Sequence, residues 1–347
     1  YLKTLVDYWQ HEFDWRAQEE KLNQFAHFRA EIDGLNVHFI HEQGQGPKPL
    51  PLIITHGWPG LFFEMFKLIP LLTDPASHGG DPADAFDVIV PSLPGFGFSD
   101  RPTARGMTTA RVAELWAHLM RDGLGYSRFA AAGGDIGSGV TQRLALAHPD
   151  LLVGIHLTFF GSILPLPEQP NLSEAEERFL RDFEAWWREE GAYAGLHSTK
   201  PQTLSYGLND SPVGLAGWFI EKYRTWSDCA GEIERRFSKD ELLTNIMLYW
   251  VAETAGSSIR IYYENAHRLA KLQVGQRIEV PAGYARFPGE LSRPPREWVE
   301  RLLNVQRWTE MPRGGHFAAL EEPDLLAEEL RAFFRPLRPA LSQEDKC

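Results

Sequence analysis

The sequence predicts an α/β protein built on an open, mostly parallel sheet, with a block of helices inserted late in the sheet. Three observations predict it. Short β-rich runs recur at residues 36–41, 50–55, 86–91, 129–132 and 153–159, and several are almost continuously apolar, as strands covered on both faces must be. The segments between them carry apolar residues at helical spacing, so strand and helix alternate. The alternation stops near residue 161, gives way to an aromatic-rich stretch of helical periodicity to about residue 273, and resumes with strand-like runs at 277–281 and 306–310.

Taken in order, the chain opens with a helical region, assigned to residues 1–35, in which Leu2, Leu5, Val6 and Trp9 share one face. The first part of the α/β core spans 36–160. Within it, residues 107–123 line up Val112, Leu115, Trp116, Leu119 and Met120 behind a cap at Thr108 or Thr109. Residues 161–273 are assigned to a helical lid, because a helical block set into an α/β sheet this late covers one edge of it. The second part of the core, 274–347, ends in a helix that takes Pro323 in its first turn and turns Leu326, Leu330, Phe333 and Phe334 inward.

Composition narrows the functions. The chain has 347 residues, 43% of them hydrophobic, enough for a large core. A formal net charge of −12 argues against nucleic acid and against anionic membrane surfaces as partners. No apolar run approaches the ~18 residues of a membrane span. Cys229 and Cys347 supply neither a disulfide framework nor a CxxC metal site, and their scarcity points to a reducing, cytoplasmic compartment. No secretory leader opens the chain, which starts at Tyr1 rather than Met. Nothing fixes the oligomeric state, and a homo-oligomer stays open.

The residues that carry chemistry sit at strand ends. In Phe129-Ala-Ala-Ala-Gly-Gly-Asp135-Ile-Gly-Ser-Gly139 a small-residue run meets a helix, and Asp135 stands between glycines in the small-x-nucleophile-x-small form of a strand-to-helix elbow. Serine usually holds that place; a carboxylate there attacks carbon bearing a leaving group and forms an ester. A helix cap is the competing reading of the same residues. A dinucleotide loop is not, because Gly134, Gly137 and Gly139 lack the GxGxxG spacing and Ile155 stands where an acid is needed. Upstream, the run 52–55 leads into His56-Gly57-Trp58-Pro59-Gly60, a loop that in an α/β-hydrolase fold donates a backbone N–H to an oxyanion. The expected donors are the amides of Trp58 and Ile136. His56 and Pro59, with Phe96 from the Leu93-Pro-Gly-Phe-Gly-Phe-Ser99 loop, are expected to contact substrate.

A base is expected at His316, in Arg313-Gly-Gly-His-Phe317, after the last strand and before the terminal helix. Glu290, in Phe287-Pro-Gly-Glu290, is placed to orient it, and the order Asp135, Glu290, His316 is nucleophile, acid, base. His38 and His41 suggest a metal only until they are set on a strand, where their rings face opposite ways. No cofactor and no metal is expected.

Taken together, HGWPG, GGDIGS, FPGE and RGGHFAALEEP resemble the epoxide hydrolases of the microsomal and juvenile-hormone type, including their bacterial relatives. The resemblance covers the whole chain, the lid included, through Lys200-Pro201 and the run 208–216. It implies an α/β-hydrolase fold, a small-molecule epoxide as substrate, and two lid tyrosines that hydrogen-bond the epoxide oxygen. Tyr193 and Tyr262 match those positions, with Tyr263 a rival for the second. The resemblance also implies a longer N-terminal region than this chain begins with. Two alternatives stay open: a haloalkane dehalogenase with the same Asp nucleophile, for which the indole of Trp58 would bind halide, and a catalytically silent protein that binds a hydrophobic ligand. Phe179, Phe183, Trp186, Trp187, Trp218 and Phe219 either shape a pocket for a bulky apolar substrate or form the lid's own core.

Overall fold

In the computed structural model, which describes residues 1–161, 171–270 and 276–338, eight strands form one sheet in the order β1-β2-β4-β3-β5-β6-β7-β8. They are β1 (His27–Ile32), β2 (Leu35–Glu42), β3 (Leu50–Thr55), β4 (Phe86–Pro91), β5 (Phe129–Gly133), β6 (Leu152–Leu157), β7 (Ile278–Arg286) and β8 (Leu303–Glu310). From β4 through β8 all neighbours run parallel, while β2 is antiparallel to both β1 and β4. The central strands are the apolar ones. Every residue of β5 and β6 is buried, as both covered faces require.

One strand lay hidden in the region assigned to helix. Residues 1–35 hold two helices, Leu2–His11 and Trp15–Leu22, but also β1, which pairs with β2 across a two-residue turn. Asp33 and Gly34 both adopt positive φ there (50° and 80°), the geometry an Asp-Gly hairpin turn demands. Arg29 and Glu31 mask β1 in the sequence, because it is an edge strand and tolerates charge. Elsewhere the boundaries moved by a few residues. The strand expected at 277–281 extends to Arg286, and the helix expected over 107–123 runs as Thr109–His118 plus a looser turn to Gly123. Its cap is Thr108, whose hydroxyl accepts from the amide of Arg111.

Between β6 and β7 the described residues form helices and no strand. The principal ones are Glu174–Glu190, Ala192–Thr199, Pro201–Asp210, Pro212–Trp226, Lys239–Val251 and Arg260–Arg268. Their starts are written in sequence: reciprocal Ser-Glu capping boxes at Ser173/Glu176 and Ser238/Glu241, and prolines 201 and 212 in first turns. The expected lid spans 161–273, and its residues 162–170 and 271–273 lie outside those described. The N-terminal helices dock on this insertion, where Tyr8 Oη and Gln18 Nε2 donate to the two carboxylate oxygens of Asp240. Among the described residues no helix is long and apolar enough to cross a membrane.

The strand order reverses at β3. The chain steps outward from β3 to β4 and then returns to the other side of β3 for β5. Loops leaving β3 and β5 therefore diverge, opening a crevice at their carboxyl ends, where open α/β sheets bind ligands.

Candidate active site

Asp135 stands in that crevice, one residue into the helix Asp135–Ala147 and two residues beyond β5. Its φ of +45° is left-handed backbone on a residue other than glycine, so the side chain is thrust out of the turn. The turn closes only because its neighbours are small. A Cβ on Gly137 would overlap the carbonyl of Thr55, and one on Gly133 would lie 2.5 Å from the backbone of Gly137. These are strand-to-helix contacts, and they hold the elbow to β3.

The two oxygens of Asp135 have different surroundings. Oδ1 accepts a hydrogen bond from the backbone N–H of Trp58 at 2.8 Å. Oδ2 lies 3.4 Å from Nε2 of His316. On the far side of the ring, Nδ1 donates to Oε1 of Glu290 at 2.7 Å. Glu290 also accepts from the amide of Leu291 at 2.6 Å. The loops that carry acid and base are tied directly, since the amide of Gly289 donates to the carbonyl of Gly314 and Gly289 bridges Gly315. The amide of His316 in turn donates to the carbonyl of Trp226, in the helical insertion.

Burial alone would push the imidazole of His316 toward neutrality. The carboxylates of Glu290 and Asp135 outweigh burial and hold its pKa well above the ordinary histidine value. The ring thus carries its proton while both carboxylates are charged, and taking the charge off Asp135 removes one of the two groups that keep it there. Asp135 also lies in the first turn of its helix, where the positive end of the dipole favours negative charge.

A cavity of about 330 Å³ opens above Asp135, bounded by Asp135, Ile136, Phe159 and Leu291 from the core and by the helical insertion. Tyr193 and Tyr262 are on its wall. Their rings meet edge-on at 6.1 Å, and the indole of Trp58 lies flat against Tyr193 at 5.5 Å. Burial raises the pKa of both phenols and the charge of Asp135 raises it further, so both remain protonated and able to donate. The Tyr262 hydroxyl is buried beside that of Tyr193, which raises its pKa further. Tyr263, its rival in sequence, stacks on His267 at 4.1 Å and does not line the cavity. The aromatic residues of the insertion divide between two roles: Phe183, Trp186 and Trp187 line the cavity, while Phe179 packs on Trp298 and Phe219 is fully buried core.

Three expected substrate contacts depart from the sequence reading. His56, Pro59 and Phe96 do not line this cavity. His56 Nδ1 donates to the carbonyl of Gly57 and its Nε2 accepts from the amide of Leu93, which ties the loop after β3 to the loop after β4. Burial pushes its pKa down to about 4, so it works as a neutral brace. The carbonyl of Pro59 accepts from Asn245, and Phe96 is fully buried against His56. A loop rich in Gly and Pro signals proximity to a ligand but does not say which side chains face it.

Sequence reasoning also missed residues around the base. Glu321 accepts from the amides of Asp228 and Phe317, and Glu322 takes Arg236 and Arg313, so the loop carrying His316 is clamped from behind. The repeated acid in the motif that ends the His316 loop, Glu321-Glu322, was its only trace in sequence. Glu64 is the other omission, a carboxyl in the apolar run Leu61-Phe62-Phe63-Glu64-Met65-Phe66.

Comparisons with known proteins agree on a family. A model described as the epoxide hydrolase N terminus matches residues 1–65, and one described as the alpha/beta hydrolase fold matches residues 51–202. A protein of Stigmatella aurantiaca that carries an epoxide hydrolase name is 48% identical over 97% of this chain and 76% of its own length. Epoxide hydrolase 1 of Sus scrofa is 41% identical over 96% of this chain and 79% of its own. The crystal structure of juvenile hormone epoxide hydrolase from the silkworm Bombyx mori superimposes with a TM-score of 0.86 at 28% identity, covering 97% of this chain and 84% of that one.

Proposed function

Because this chain belongs to the epoxide hydrolase family of the α/β-hydrolase fold, we propose that it converts an apolar epoxide and water to a vicinal diol through an ester on Asp135. The observation that carries this reading is the position of Asp135 between two kinds of partner. The His316–Glu290 pair lies on one side and the paired phenols of Tyr193 and Tyr262 share its cavity on the other.

Asp135 Oδ2 attacks an epoxide carbon, and the C–O bond breaks toward the phenols. Their O–H groups stabilise the alkoxide as it develops, in a site where water does not compete. Ring opening consumes one proton, and loss of the Asp135 charge frees one from His316, so the step balances. Water then attacks the ester's carboxyl carbon and gives its proton to His316 Nε2. Oδ1, already held by the amide of Trp58, becomes the oxyanion. The amide of Ile136, at the helix N-terminus, is the second donor in this reading. Collapse expels the diol with the former Oδ2. At about 330 Å³, with Phe183, Trp186 and Trp187 on the wall, the chamber suits a modest apolar epoxide.

The phenols distinguish this reading from dehalogenation. Tyr193→Phe and Tyr262→Phe are each expected to slow ester formation from an epoxide by about 10²-fold, with ester hydrolysis little changed. Single-turnover kinetics on epoxide and haloalkane substrates measures both. Unchanged epoxide turnover in the double Phe variant removes the role given to the phenols, and haloalkane turnover by the wild type without epoxide turnover sinks the epoxide reading in favour of the dehalogenase.

A further inference from the structure

A second, much smaller cavity of about 40 Å³ meets the substrate chamber at Asp135, which among the described residues is the one that lines both. Its wall also carries His316, Trp58 and Glu64. One water needs ~10–15 Å³ of such space and two to four polar partners, so the cavity has both the room and the groups for one. It reaches Asp135 apart from the chamber that would hold the epoxide.

Glu64 is the unexpected member of that wall. It follows the HGWPG loop in an apolar run, is 8% exposed, and its carboxyl has no hydrogen-bond or ion-pair partner among the described residues. The side chain folds back over Gly60, where a Cβ would overlap the carboxyl. The absence of a side chain at position 60 is thus what lets this carboxyl take its place. A buried carboxyl without a partner is costly when charged. Burial pushes its pKa up to about 8, opposed by the charge on His316 and reinforced by Asp135 and Glu321, and it is therefore neutral at pH 7.

The geometry points to Glu64 as a positioning residue for the second half-reaction: its carboxyl holds, in the small cavity, the water that His316 deprotonates for attack on the Asp135 ester. This rests on the ester mechanism proposed above. One O–H of the water donates to His316 Nε2 and the other to the carbonyl oxygen of the Glu64 carboxyl. As the new C–O bond forms, the first proton passes to His316 and the second stays on the oxygen now bonded to Asp135. A neutral acceptor suits the task, because a second carboxylate charge beside Asp135 would oppose the oxyanion that forms there.

Rapid-quench kinetics with intact-protein mass, on wild type and on E64Q, E64L and E64M, separates ester formation from ester hydrolysis. In the Leu and Met variants, ester formation is expected within about threefold of wild type and ester hydrolysis about 10- to 100-fold slower, so the ester accumulates. E64Q keeps a neutral acceptor of the same shape and is expected to recover most of the hydrolysis rate. Thermal melts identify which apolar variant folds, and either suffices. Wild-type ester hydrolysis in a folded apolar variant, an equal slowing of both steps, or an E64Q as slow as E64L each overturns the role given to Glu64. Absence of any ester in the wild-type protein is a different failure, removing the ester mechanism itself.

Discussion

An Asp135→Ala enzyme is expected to fold, keep its chamber, and turn epoxide over at least ~10⁴-fold more slowly than wild type. The size of the loss follows from the role. The carboxylate is the atom source for the first bond, and among the described residues no other acid lines the chamber. The backbone at 135 is left-handed, a conformation Asp tolerates better than Ala, and a drop of ~1 kcal/mol in stability is expected. Steady-state assays beside a thermal melt distinguish this modest cost from the catalytic one. A folded Ala variant that keeps turnover within about 100-fold would show that Asp135 is not the nucleophile.

His316→Ala should fail at a different step. Without the base, ester forms but is not hydrolysed, so turnover falls by roughly 10²–10⁴-fold while one equivalent of substrate becomes fixed to the protein. The expected observation is a mass increase equal to the epoxide, mapped to the peptide containing Asp135. Absence of the adduct after exposure to aryl and terpenoid epoxides would favour a silent binding protein. In the wild-type enzyme the same residue sets a pH dependence. The ring's pKa is raised, so it is protonated below that value and a base only above it. Ester hydrolysis is therefore expected to rise with pH to a plateau. Esterification removes the Asp135 charge, so the rise should fall at lower pH than the titration of His316 in the free enzyme, a difference that NMR of the ring would measure.

Much of this architecture was legible in sequence, for physical reasons. The strands buried on both faces announce themselves as apolar runs, and β3 and β4 fall at the residues expected. The elbow was legible because its backbone tolerates so few residues at 133 and 137. Chain order then sufficed to pair His316 with Glu290, which the structure brings to 2.7 Å. Edge strand β1 was not legible from periodicity, since exposure lets it carry Arg29 and Glu31; only the Asp33-Gly34 turn betrayed it. A motif gives proximity but not direction: among His56, Pro59 and Phe96 none lines the larger chamber. His56 and the carbonyl of Pro59 brace the loops, Phe96 is buried, and His56 instead reaches the small cavity beside Asp135. Glu64 was overlooked because its significance lies in a cavity it shares with residues 71 and 252 positions away, Asp135 and His316.

The covalent route through Asp135 is tested most directly by a single turnover in ¹⁸O-water with enzyme in excess. Attack by Oδ2 followed by hydrolysis at the carboxyl carbon delivers an unlabelled oxygen to the diol and leaves the label on Asp135. A first-turnover diol carrying ¹⁸O would mean that water adds to the epoxide directly and that no ester lies on the path.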